Sequence, residues 1–135
     1  MIRTIAVVAV AGLALAGCSG KTAGSPRKPL ELPAAAAFKS GTCSTIADPV
    51  LSLGRFTYDK ANATTLSDAD RAELVVQGEK LKSAVESAEP AMADQMMQVL
   101  MSIGFVRIRI GKTYDPKLLT DVEAARTRLQ TTCTT

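Results

Sequence analysis

Four methionines within ten positions have the plainest capacity for chemistry in this chain. Met92/Met96 and Met97/Met101 are pairs with members one helical turn apart. Thioethers are soft ligands, and a cluster of them outside the cytoplasm suits Cu(I). At about 100° per residue the two pairs point about 140° apart, so the four cannot close on one ion. The spacing therefore predicts core packing, where flexible thioethers fill irregular gaps. An adaptable apolar pocket for a lipid or a small hydrophobic molecule is the alternative use. Asp68, Asp70 and Glu73 form an acidic group. On a helix Asp68 and Asp70 diverge, and no EF-hand glycine or closing Glu follows at the required spacing. They read instead as charges suited to the positive end of a helix dipole. Ser44, Thr45 and the threonines around Cys133 offer hydroxyls without an evident base. The chain contains no His. His is the commonest general base and metal ligand, so its absence removes Ser-His-Asp and Cys-His chemistry and most zinc sites. We expect no enzymatic activity, no metal and no cofactor.

The N-terminal residues carry an address. Arg3 precedes an apolar run from Ile5 to Gly17, which closes on Leu15-Ala16-Gly17-Cys18. The run is 13 residues long, whereas a spanning helix needs about 20. A charged head, a short apolar segment and a small-residue cleavage site make a signal peptide. With Cys at the cut, the segment resembles a bacterial lipoprotein signal with its lipobox. The resemblance covers residues 1–18 and no others. It implies that residues 1–17 are removed and that Cys18 carries a thioether-linked diacylglycerol. Two acyl chains hold a protein stably at a bilayer where one does so only marginally. The expected location is the outer face of the cell membrane or of another envelope membrane.

With Cys18 assigned to lipid, Cys43 and Cys133 remain. In the oxidising compartment that the signal implies, such a pair reads as a disulfide. Residues 18–41 are rich in Pro, Gly, Ser and Ala, with Pro26, Pro29 and Pro33 at near-regular intervals. That composition predicts a mostly disordered tether. Residues 42–135 are left for the folded domain. The formal net charge of +3 is too slight for nucleic-acid binding, and no basic run interleaved with aromatics supports it. Acids dominate residues 59–94, whereas Arg107, Arg109 and Lys112 stand in an acid-free segment. Pairing between the two segments is the expectation; contact of the cations with anionic head groups is the alternative.

Four helices must position these residues. The first lies near Ser44–Arg55, with Ile46, Val50 and Leu53 in step. Either Ser44 caps it and Pro49 falls just after the first turn with some distortion, or Asp48 is the cap and Pro49 takes the first helical position. The second begins at Ser67, with Asp70 closing a capping box, and lines Leu74, Gly78, Leu81, Val85 and Ala88 along one face. The third runs from Pro90 to about Ile110 and is apolar over most of its circumference, which predicts a place at the centre of a bundle. The alternation of Val106, Ile108 and Ile110 with Arg107 and Arg109 also fits a strand, but no second strong strand is available to pair with it. The fourth begins at Asp115-Pro116 and carries Leu118, Val122, Ala125 and Leu129. The same stripe, continued by four, reaches Cys133. A Cys43–Cys133 bridge would then tie the last helix to the first, as an antiparallel bundle allows. The expected object is an all-α bundle of about four helices, closed by one disulfide and preceded by a tether. Its expected role is that of a non-catalytic binding or accessory module for an envelope protein. A carrier or sensor of an apolar ligand, built on helix 90–110, is the alternative.

Overall fold

The computed structural model of the chain describes residues 27–109 and 114–135. Four helices, α1 (Thr42–Asp59), α2 (Asp68–Val85), α3 (Pro90–Arg109) and α4 (Lys117–Thr134), follow a short 3₁₀ turn at Ala35–Ala37. They form an antiparallel ring in which α1 packs on α2, α2 on α3, α3 on α4 and α4 on α1. The segment 105–109 is helical. Residues 1–26, which take in the expected signal peptide, Cys18 and the first part of the expected tether, lie outside the described residues, as do Ile110 and Lys112.

Local signals account for most of the helix starts. At α2 the Ser67 hydroxyl accepts from the Asp70 amide at 3.2 Å, and Asp70 Oδ2 accepts from the Ser67 amide at 2.8 Å. Both orphan donors are thereby satisfied. Asp115 Oδ1 accepts from the Lys117 amide at 2.9 Å, and Pro116 holds helical angles at the first turn of α4. The first helix departs from expectation. It starts at Thr42, not Ser44 or Asp48, and runs through Pro49 without interruption. Pro49 is buried and has no N–H to offer the carbonyl four residues earlier. That carbonyl belongs to Thr45, an exposed residue where solvent can take its place. Gly41, at φ +81°, turns the chain into α1. An L side chain is disfavoured in that backbone region.

The core is continuous around the ring. Ile46, Val50 and Leu53 of α1 are fully buried, as are Leu74 and Leu81 of α2, Met96, Val99 and Val106 of α3, and Val122, Leu129 and Cys133 of α4. Cys43 and Cys133 form a disulfide with Cα atoms 5.3 Å apart across a separation of 90 residues. It joins the first turn of α1 to the last turn of α4. The residues before α1 are not free spacer as far as position 41. From Arg27 they lie back along the bundle. Arg27 Nη1 donates to the Tyr58 carbonyl at 2.6 Å, and the Tyr58 hydroxyl donates to the Lys28 carbonyl at 2.9 Å. Leu32 packs on the core and Phe38 is buried in it. The Lys39 amide donates to the Cys133 carbonyl at 2.9 Å. Two apolar side chains thus outweigh a composition that reads as linker.

Closing a loop of this length removes denatured-state entropy worth roughly 4–5 kcal/mol. Cys43→Ser with Cys133→Ser should therefore lower the free energy of unfolding by up to about that amount. Urea denaturation of oxidised, reduced and doubly substituted chains measures it, and the reduced and substituted chains should agree.

Candidate functional site

The helix richest in apolar residues cannot satisfy all of them inside a four-membered ring. Met96, Val99, Ile103 and Val106 of α3 face the core, at spacings of three, four and three. Met97, Met101, Phe105 and Ile108 face outward, with 44, 58, 55 and 66 % of their surfaces exposed. At about 100° per residue the centres of these two sets lie about 180° apart. The expectation that α3 occupies the centre of the bundle is therefore corrected. It is one member of the ring, buries a narrow seam, and leaves an apolar stripe in water. A contiguous exposed stripe of large apolar side chains marks an interaction surface more often than scattered single residues do.

The four methionines divide between these sides. Met96 is fully buried and Met92 partly so, with its sulfur 3.9 Å from Cys133 Sγ. Met97 and Met101 are exposed. Core packing thus holds for the first pair and fails for the second, because the ring presents only one face to α3. Among the described residues no three His, Cys, Asp or Glu side chains converge as a metal site. Among the described residues, grooves of about 640 Å³ lie beside Arg27 and Tyr58 and of about 510 Å³ beside Cys43 and Met92. Neither is lined by Met96, Met97 or Met101.

The acidic group is dispersed. Asp68 is exposed, Asp70 is held in the capping box with Lys60 Nζ at 2.8 Å, and Glu73 accepts from Gln77 at 2.7 Å. Partial burial pushes the Asp70 carboxyl up, but hydrogen bonds from Lys60 and Ser67 outweigh it and hold the group below its ordinary value. The hydroxyls of Ser44, Thr131, Thr132, Thr134 and Thr135 donate to backbone carbonyls three or four residues earlier. The expected pairing of Arg107 with acids of the second helix is absent. Arg107 is exposed, and the ion pairs among the described residues do not include it. It lines a shallow groove with Arg71, Gly104 and Ile108. Gly104 makes no close helix approach, since a Cβ placed there would meet nothing within 4 Å.

A polar cluster between α1 and α4 was not foreseen. Arg126 is 3 % exposed. Its guanidinium donates to both Glu123 oxygens, at 2.6 and 2.8 Å, and to Gln130 and Thr127. Thr57 of α1 donates to the same Glu123. The guanidinium lies over Gly54, where a Cβ would come within 3.2 Å of Arg126 Cζ and 2.9 Å of a Leu32 methyl. The signal was present in the spacing: Arg126 stands four after Val122 and three before Leu129, on the buried stripe. Partial burial pushes the Glu123 carboxyl up, but hydrogen bonds from Arg126 and Thr57 and the charge of Arg126 hold it below the ordinary value. The cluster is satisfied internally, which suits a part that sets helix register rather than one that meets a substrate.

No family model matches this chain, and neither a curated protein nor a solved structure matches it. The site therefore rests on its geometry.

Two predictions follow from the opposed faces and the polar cluster. Met96→Ala should cost about 2–5 kcal/mol of stability, as a buried truncation does. Met101→Ala should stay within about 0.5 kcal/mol of the parent. Equilibrium denaturation of both variants compares them. A carboxyl lowered in the folded state stabilises fully above its ordinary value, 4.5 here, and that contribution fades as pH falls through the folded value. The stability gap between the parent chain and Glu123→Gln should accordingly narrow on acidification below 4.5. A gap that is constant across that range would contradict the assignment.

Proposed function

We propose that this chain is a lipid-anchored, extracytoplasmic binding module that docks an envelope protein through the outward face of α3 and performs no catalytic step. The observation that carries the reading is the stripe of Met97, Met101, Phe105 and Ile108, exposed on the side of α3 opposite a complete core. A helix laid along such a stripe reads it at turn-by-turn spacing, and flexible thioethers adapt to the partner's shape. The lipobox-like residues ending at Cys18 support the anchor. The Cys43–Cys133 bridge supports an oxidising compartment, since cytosolic thiols are kept reduced. The apolar run before Cys18 is 13 residues long, short of the about 20 that a spanning helix needs, which favours attachment through the acyl chains. The alternative use of helix 90–110, as an apolar ligand carrier, has less support because Met97 and Met101 point away from Met96.

Photo-crosslinking in the producing cell tests the reading. A benzophenone side chain at Met101 should trap one envelope protein in a discrete adduct, and Met97→Asp should abolish it. The same group at Ser83, an exposed position on α2, should trap nothing. Equal labelling from both positions, or none from Met101, would remove the docking face. Intact-mass measurement of the membrane-extracted chain checks the acyl group on Cys18.

A further inference from the structure

The outward stripe of α3 is not uniform along its length. Its exposure is 44 % at Met97 and 66 % at Ile108, so it opens toward one end of the bundle. Antiparallel packing brings the end of α1, the start of α2, the end of α3 and the start of α4 together there. Lys60 and Asp70 meet at this end, and so do Arg71, Arg107 and Ile108.

The N-terminal segment enters the fold at the same end. Arg27 lies over the Tyr58 ring, 4.7 Å from its centroid, and bonds the Tyr58 carbonyl in the last turn of α1. Cys18 is nine residues earlier. Whatever its path, nine residues of chain span at most about 30 Å. That matches the length of a single 20-residue helix, about 30 Å. A lipid on Cys18 therefore keeps the Tyr58 end within one bundle-length of the bilayer, and a contact made by that end decides which end faces it. A short tether also raises the local concentration of that end at the surface to roughly the millimolar range. A small apolar contact is then enough to hold it down.

The composition of the end suits the contact. Ile108 and Phe105 project from α3, and Arg71 and Arg107 flank Ile108 across the shallow groove. Asp68, 3.9 Å from Arg71, has 98 % of its side chain in water. Asp70 and Asp121 are already tied to Lys60 and Lys117, and the exposed Asp59 and Asp115 at this end partly offset the arginines. Apolar side chains of this kind bury about 5–10 Å into the interface of a bilayer. With α3 upright, Phe105 stands about 4.5 Å above Ile108 and Met97 about 16 Å above it. The first falls within that depth and the second above it.

We propose that the end of the bundle bearing Ile108 and Phe105 rests on the bilayer that carries the Cys18 anchor, with Arg71 and Arg107 at the level of the lipid head groups. Met97 and Met101 then face sideways above the surface, where a protein partner can reach them. The inference rests on the lipid anchor of the proposed function and adds an orientation to it.

The chain contains no Trp, so single tryptophans report depth. Ile108→Trp, Met97→Trp and Glu86→Trp are each made in the full processed chain. The acyl group on Cys18 is verified by mass, and the protein is placed in phosphatidylethanolamine vesicles with and without phosphatidylglycerol. Brominated lipid should quench the tryptophan at 108 at least about twofold more than those at 97 and 86, as interfacial burial requires. Greater quenching at 108 in both vesicle types, or only in the anionic ones, supports the contact. Phe105→Asp added to Ile108→Trp should reduce it. Equal quenching at the three positions in both vesicle types overturns the orientation while leaving the anchored module intact. A chain without an acyl group on Cys18 overturns the anchor and the orientation with it.

Discussion

A ring of four helices can bury only one narrow seam from each member. α3 is apolar over more of its circumference than that seam covers, and this mismatch governs how the rest of the molecule reads. Met96, Val99, Ile103 and Val106 fill the seam, and the side opposite stays in water. Rotating α3 would exchange one set of apolar residues for the other. It could not bury both. The exposed stripe is therefore not a failure of packing that a small adjustment would repair. It is built into the residues of α3 once the ring has four members.

The remaining parts make that ring hold its register. The disulfide closes it between α1 and α4 at one end. Toward the other end, Thr57, Glu123 and Arg126 join the same two helices through hydrogen bonds. A buried guanidinium contributes less net stability than its short contacts suggest, because desolvation offsets much of the attraction. Its geometric demand is strict, however. Sliding α4 by one turn relative to α1 would separate Glu123 from Thr57 and leave Arg126 over a different residue than Gly54. The α1–α4 contact is thus specified at both ends, by a covalent bond and by a polar cluster. α3 has no comparable polar tie across the ring among the described residues and is placed by apolar contact.

Much of this was legible from the chain. Ser67 and Asp70 at capping-box spacing, Asp115 before Pro116, and the α4 stripe reaching Cys133 are local patterns, and local patterns survive folding. The features that were missed depend on neighbours. Pro49 left the start of the first helix open between Ser44 and Asp48, because proline is unfavourable within a helix. Here the one carbonyl it leaves unbonded belongs to a solvent-facing residue. Leu32 and Phe38 lay in a stretch whose composition reads as linker, and only the groove of the folded bundle shows that they dock. The spacing of Arg126 puts it on the buried stripe, although a charged side chain is by itself a signal for the solvent side. The side of α3 that meets water was illegible for a deeper reason. A helix apolar nearly all round carries no moment strong enough to say which side the ring will take.

The strap formed by residues 27–38 determines how tension on an N-terminal anchor would reach the core. It enters beside Tyr58, runs back along α1 to Phe38, and reverses at Gly41 into the helix that holds Cys43. A pull from the N-terminus meets the Arg27–Tyr58 and Lys28–Tyr58 contacts first, then Leu32, and Phe38 last. The early contacts are exposed hydrogen bonds and a cation over a ring, each modest in water. The late one is a buried aromatic beside the Lys39–Cys133 hydrogen bond. Contacts arranged from weak to strong yield in sequence, so the strap could lengthen the tether by several residues before the ring is loaded. The disulfide then receives the force at a point already joined covalently to α4. A pull from the N-terminus would in this way release residues 27–32 before it loads the buried Phe38.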